Sequence, residues 1–342
     1  MLNPIWATPA HIRTRASREG PWEDKEVLIP DVMDLGTLTE LAHLASNAYK
    51  LPDDTTWHEE PNWNNTIPIG EDSKGMRGHV FASADNSTIV LAVKGTSPFR
   101  SPTTGQDKLN DNLMFSCCCA HSVCPCASRR NMCDTVCLER ALAEDSLFYN
   151  FGIVSISQSL FPVARSYLRP EFVQQRNIPV PNATVWVVGH SLGGALAALL
   201  GATFGTPTVA FSSPGERRAA RLLHLPETAP ITHVIHTADP VSYGTCATCA
   251  RLGFSLETRC HLGRVIEFDT ARRYGWRKDI RHHPMNIVLD KVLGAGGLWP
   301  DVGDSGENAT VWRDIPLSRT QEDCVDCSKW TFDQSPALLF QR

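Results

Sequence analysis

The chain has 342 residues, 42% of them hydrophobic and 20% charged, with a net charge of −5. This is the composition of a globular protein long enough to bury a large core, and it lacks the basic excess that a nucleic-acid partner requires. The richest apolar run, Ala195 to Leu200, is broken at Gly201 and is far shorter than the roughly 18 residues a membrane-spanning helix needs.

The N-terminus, Met1-Leu2-Asn3-Pro4-Ile5-Trp6, has neither the basic nor the apolar region of a signal peptide. The twelve cysteines point instead to an oxidising compartment. They fall into a dense cluster (Cys117, Cys118, Cys119, Cys124, Cys126, Cys133, Cys137), a middle group (Cys246, Cys249, Cys260) and a late pair (Cys324, Cys327), which suits disulfides. The competing expectation is zinc, since Cys246-x-x-Cys249 and Cys324-x-x-Cys327 each have the spacing of half a thiolate site. Asn-x-Ser/Thr sequons at Asn64, Asn86, Asn182 and Asn308 also favour a secretory route.

Residues 1–35, rich in proline and charge, read as an extended leader. Leu38, Leu41, Leu44 and Ala45 then recur at helical spacing, with Thr37 as N-cap and Glu40 three residues on, the pattern of a capping box. Strands are expected at 79–83 and 87–94, the second apolar throughout, as a strand buried on both faces must be. Residues 97–138 lack periodicity and read as an irregular, cysteine-rich insertion at the surface. Helix is expected between 135 and 167. Beyond it strands (184–188, 206–211, 231–236, 263–268) alternate with helices (195–204, 216–224), and an apolar helical run occupies 287–293. Repeated strand-then-helix predicts an α/β fold with a mostly parallel, doubly wound sheet. Residues 36–335 are thus read as one α/β-hydrolase domain and 336–342 as a tail.

The informative segment is Gly189-His190-Ser191-Leu192-Gly193, because a buried strand precedes it and an alanine-rich helix follows. A strand that turns sharply into a helix holds its central residue in a strained conformation, and glycines at 189 and 193 remove the collisions side chains would make. The turn raises the Ser191 hydroxyl as a nucleophile and leaves the Leu192 amide free to donate to an oxyanion. A second donor is expected at Thr96, on the loop closing the strand at 87–94.

In this fold the acid and the histidine follow the serine in that order. Asp239 ends the 231–236 strand, with Pro240 blocking its continuation; Asp269, at the end of the next strand, is the competitor. His261, His282 and His283 lie beyond. The pair before the last apolar run is favoured as base, and spacing alone does not separate its two members. His190 cannot be the base, because adjacent residues across the turn point apart.

Further motifs extend the pattern: Asp107-Lys108-Leu109-Asn110-Asp111-Asn112 running into Phe115-Ser116-Cys117-Cys118-Cys119, Pro214-Gly215-Glu216-Arg217, His224-Leu225-Pro226, Arg259-Cys260-His261-Leu262-Gly263 and Cys324-Val325-Asp326-Cys327. With the elbow and 231–240 they resemble the autophagy-related vacuolar lipases of fungi, within the class 3 lipase superfamily, over roughly residues 35–335. The resemblance implies a phospholipase and triacylglycerol lipase that lyses autophagic and multivesicular-body membranes in the vacuole. It carries the nucleophile onto Ser191, the acid onto Asp239, the base onto His283 and the oxyanion position onto Thr96. Members of that family carry a single membrane-spanning anchor near the N-terminus, which this sequence does not show.

The expected chemistry is acyl transfer from a glycerolipid or phospholipid at a membrane surface, needing no metal and no organic cofactor. A carboxylesterase or thioesterase with the same residues is the rival enzyme, and a catalytically inactive lipid-binding protein is the rival of another class. Leu109, Leu113, Met114 and Phe115 are expected either to give a lid its apolar surface or to join the core.

Overall fold

The computed structural model describes residues 7–14, 23–70, 76–97, 104–115, 132–134, 148–155, 183–244, 258–302, 310–326 and 331–333. The leader is not simply extended. Ala7–Thr14 (β1) and Glu23–Pro30 (β2) pair antiparallel along their full length. The ring nitrogen of buried Trp186 donates to the Leu28 carbonyl at 2.9 Å, tying this hairpin to the central sheet.

The first helix, α1, spans Leu35–Asn47, and its cap is Asp34, whose carboxylate accepts from the Thr37 amide at 2.7 Å. Thr37 is therefore inside the helix. Glu40 accepts from Asn62 and Trp63 instead of closing a capping box.

Next come β3 (Trp63–Ile69), β4 (Gly78–Ser83) and β5 (Thr88–Val93). The 97–138 insertion is not wholly irregular: a helix, α2, runs from Thr104 to Phe115, and a short strand, β6, covers Met132–Asp134. Helix α3 (Phe148–Ser155), strand β7 (Thr184–His190) and helix α4 (Leu192–Phe204) follow. Then come β8 (Thr208–Phe211), α5 (Arg217–Leu222), β9 (Ile231–His236), β10 (Arg264–Phe268) and α6 (Thr270–Tyr274). The final apolar run is a helix, Met285–Ile287, that widens into a π-helical turn over Val288–Leu293.

Seven strands form the main sheet, in the order β10-β9-β8-β7-β5-β4-β3. The first five are mutually parallel, and β4 and β3 complete the sheet antiparallel. This is the mostly parallel α/β-hydrolase arrangement that the strand–helix alternation predicts. One face packs α4, α2 and α3 around Leu196, Leu199 and Leu200; the other packs α1 and the 285–293 helix around Trp186, Val188 and Phe211. Strands covered on both sides must be apolar throughout, which is why β5 and β8 show no alternation.

The parallel strands all end at one sheet edge, so the loops after β5, β7 and β9 converge there. Among the described residues no helix is long and apolar enough to cross a membrane. Cys260 and Cys324 are joined in a disulfide, so the late Cys-x-x-Cys pair does not supply two free thiolates to a metal. The dense cysteine cluster lies outside the described residues apart from Cys133, which falls in β6; Cys246, Cys249 and Cys327 lie outside them too. Of the sequons, Asn86 occupies the β4–β5 turn and Asn64 lies in β3, while Asn182 and Asn308 fall outside the described residues.

Candidate active site

The bend between β7 and α4 forces Ser191 to φ 59° and ψ −132°, a conformation that side-chain-bearing residues rarely hold. Crowding explains the flanking glycines. A Cβ on Gly189 would stand 2.2 Å from the Gly193 carbonyl oxygen, and one on Gly193 would stand 2.2 Å from the carbonyl oxygen of Val93 on the neighbouring strand. Either contact would force the elbow apart.

Ser191 Oγ lies 2.9 Å from Nε2 of His283, and Nδ1 of His283 lies 2.9 Å from Oδ2 of Asp239. Asp239 is wholly buried on the turn that follows β9, and its other oxygen accepts from the Val241 amide at 2.9 Å. Burial alone would raise its carboxyl. The charge and hydrogen bond of His283, the charge of His236 and the Val241 amide outweigh that and hold it at about 2. The carboxylate is therefore ionised at any ordinary pH.

The other candidates stand elsewhere. Asp269 caps α6, accepting from Arg272 N and Thr237 Oγ1. His282 stacks on Trp276 with ring centroids 4.2 Å apart, away from the serine. His261 is buried next to Glu216 and His233. Ser191, Asp239 and His283 are thus the three that the fold brings together.

The loop bearing His283 is held by two further histidines. His236 Nε2 donates to the His282 carbonyl at 3.0 Å and His190 Nε2 to the His283 carbonyl at 2.9 Å; a carbonyl only accepts, so these nitrogens carry the protons. His190 Nδ1 is then the acceptor for the Tyr49 hydroxyl at 2.9 Å. Burial first, and then repulsion from His283, pushes His190 down to about 3, and burial likewise lowers His236. His190 is therefore a neutral imidazole. The sequence offered no sign of this clamp beyond the presence of His190 in the elbow.

The amide of Leu192, first in α4, has no carbonyl one turn earlier to bond, which leaves it available beside Ser191. Thr96 follows β5 on the adjacent loop, and α2 fixes that loop through two carboxylates on one helical face. Asp107 accepts from the Ser97 amide at 2.7 Å, and Asp111 accepts from Thr96 Oγ1 at 2.7 Å. Lys94, bonded to Ser97 Oγ at 2.5 Å and paired with Asp107 at 3.7 Å, is lowered by burial to about 8. Burial also raises Asp111 to about 7, and its second oxygen is buried without a hydrogen-bond partner. The motif 107–112 thus buttresses the loop carrying Thr96, a role that spacing alone had not revealed.

Ser191, His283 and Thr96 open onto a cavity of about 780 Å³ whose apolar lining includes Trp57, Val241, Ile280, Met285 and Leu289. A cleft of this size and polarity accommodates a hydrocarbon chain. The expected lid segment is divided. Met114 and Phe115 belong to the core and Leu113 packs against it, whereas Leu109 is exposed.

Sheet order and a serine-bearing elbow above the parallel strand ends define the class: an α/β-hydrolase. Residues 150–245 match the family described as Lipase (class 3). A protein of Cryptococcus neoformans var. neoformans serotype D named "Putative lipase ATG15" is 35% identical, the match covering 93% of this chain and 71% of that protein. A protein of the same name from Saccharomyces cerevisiae is 38% identical, with 93% of this chain and 60% of that protein covered. The chain belongs to the ATG15 family of lipases. Among solved structures, the lipase of Rhizopus microsporus var. chinensis matches 70% of this chain and 76% of its own at 18% identity, with a TM-score of 0.37.

Proposed function

We propose that this protein hydrolyses carboxylic esters of glycerolipids, phospholipids and triacylglycerols among them, with Ser191 as nucleophile. His283 takes the proton from Ser191 Oγ as the oxygen attacks the ester carbonyl, and Asp239 steers and stabilises the imidazolium that forms. The amides of Thr96 and Leu192 receive the oxyanion. On collapse the alcohol leaves with the proton held by His283, and water then repeats the sequence to free the fatty acid and restore Ser191.

The observation that carries this reading is the pair of 2.9 Å contacts linking Ser191, His283 and Asp239 at the mouth of an apolar cavity. The setting we assign is the lysis of autophagic and multivesicular-body membranes in the vacuole. A lipase of this family suits that role, and a disulfide suits a compartment outside the cytosol.

The test is hydrolysis of phospholipid vesicles, triolein emulsion and a soluble short-chain ester, together with labelling by a fluorophosphonate. Wild type should be labelled and should cleave both lipids. Ser191→Ala should lose labelling and activity by on the order of 10⁵-fold or more. A folded Ser191→Ala protein that keeps its esterase activity would refute the assignment, and cleavage of the soluble ester alone would make the protein a carboxylesterase.

A further inference from the structure

Three side chains able to ligate a metal, with no part in this chemistry, meet among the segments around β8, β9 and β10. Glu216, on the segment after β8, His233, within β9, and His261, before β10, are each wholly buried, and one ligand atom from each lies within 4.8 Å of the others. Glu216 Oε1 accepts from the Leu262 amide at 2.8 Å and stands 3.0 Å from His233 Nε2. Among the described residues the carboxylate is the group facing His233 Nε2, and buried Glu216 Oε2 has no hydrogen-bond partner. Leaving a carboxylate oxygen buried without a partner costs free energy that a folded protein rarely tolerates.

The remote sides of both rings are answered. His233 Nδ1 lies 2.9 Å from Ser213 Oγ. His261 has the Ser213 carbonyl 3.1 Å from Nε2 and Gln321 Oε1 3.2 Å from Nδ1, so a nitrogen that ligates must give up one of these contacts while the other acceptor holds the remaining proton. An outer acceptor that fixes the tautomer of an imidazole is the arrangement found around metal-bound histidines. Gln321 Oε1 is itself held by the His261 amide at 2.9 Å.

We propose that Glu216, His233 and His261 form a structural zinc site, with a water molecule as fourth ligand. One carboxylate and two imidazoles in a closed pocket suit zinc, whereas calcium and magnesium ask for more oxygen ligands than this pocket offers. No thiolate competes from Cys260, which is held in its disulfide. The ion would pin together the segments that follow β8 and precede β10, with β9 between them. His233 lies six residues before Asp239, so the same ion would steady the strand from which Asp239 departs.

The experiment is metal analysis of the full chain, secreted with its disulfides formed and purified without chelator, followed by stripping and titration with zinc chloride. One zinc per chain is expected. Stripping should lower Tm and zinc should restore it, and cobalt should bind without a thiolate charge-transfer band. Glu216→Gln and His233→Gln should each weaken zinc binding by about tenfold or more. Should those variants fail to fold, the stripped wild type carries the test alone. The site is refuted if purified wild type holds no zinc and the stripped protein gives neither heat nor a Tm change on titration. A cobalt spectrum with a thiolate band would equally refute it, by assigning the metal to cysteines. None of these readouts depends on Ser191, so failure here and failure of the lipase reading are separable.

Discussion

His190 lays its imidazole over that of His283, ring centroids 4.7 Å apart, and at the same time donates from Nε2 to the backbone carbonyl of the residue it covers. The neighbour of Ser191 in sequence is thus the support for His283. His190 is held near pKa 3, so the stack meets the imidazolium formed on His283 with a neutral ring and adds no repulsion. We expect His190→Leu to lower kcat by about tenfold to a hundredfold with a smaller change in KM, because what is lost is the aim of His283 and not the lipid cavity. His190→Gln, which keeps an amide donor, should recover part of that loss. Equal losses in the two variants would count against a positioning role.

Asp239 gives a second prediction. Replacing it with Asn removes the acceptor that fixes the tautomer of His283, and activity should fall on the order of 10⁴-fold while the fold persists. Stability should respond to pH in a defined direction. The folded carboxyl sits at about 2, below its ordinary 3.8, so the stabilisation it provides is present above 3.8 and is lost as pH falls toward about 2. A stability gap between wild type and Asp239→Asn, on the order of 2 kcal/mol from this shift, should therefore hold at neutral pH and close in strong acid. Melting curves across that range check it.

The Cys260–Cys324 bridge closes a long loop, with a sequence separation of 64. Removing it with a Cys260→Ser/Cys324→Ser double substitution should cost about 4 kcal/mol through the entropy returned to the unfolded chain. Denaturant unfolding, with the other cysteines unchanged, measures the loss.

The parallel sheet was legible because burial on both faces leaves an unmistakable mark. Strands such as 88–93 and the 184–188 part of β7 are nearly unbroken apolar runs, and Gly189 to Gly193 fixes where the second must turn. Helix α2 was not legible, since its sequence is dominated by polar residues from Gln106 to Asn112, of which Asp107 and Asp111 bond to a loop and Lys108 and Asp111 line the cavity. Strand β3 carries Pro68, which an edge strand tolerates and which disguises it in sequence. His282 and His283 are adjacent and chemically identical, so only the packing of His282 on Trp276 separates them. The clamp made by His190 and His236, and the cluster at Glu216, join residues far apart in the chain. Periodicity carries no trace of such contacts.

The hydrogen bond from Thr96 to Asp111 yields the last prediction, because Asp111 stands at the point where site and stability meet. Its carboxyl is raised to about 7 by burial, with Asp107 adding to the shift and Thr96, His283 and Lys108 opposing it. For a carboxyl whose folded value lies above the unfolded 3.8, the contribution to stability is fully present below 3.8 and is lost as pH rises through about 7. Wild type should therefore lose Tm between mildly acidic and mildly alkaline buffer relative to Asp111→Asn, which has no proton to lose. Activity should follow the same order. Once ionised, Asp111 places a negative charge beside the loop that must receive an oxyanion, so wild-type kcat should fall as pH rises through 7 while the Asn variant stays flatter over that interval. Thr96→Val, which keeps the amide and removes only the hydroxyl, should cost about tenfold in kcat by loosening the donor from α2. Wild-type and Asp111→Asn profiles of the same shape through pH 7 would show that Asp111 does not titrate there, and the link between this helix and the site would then be steric alone.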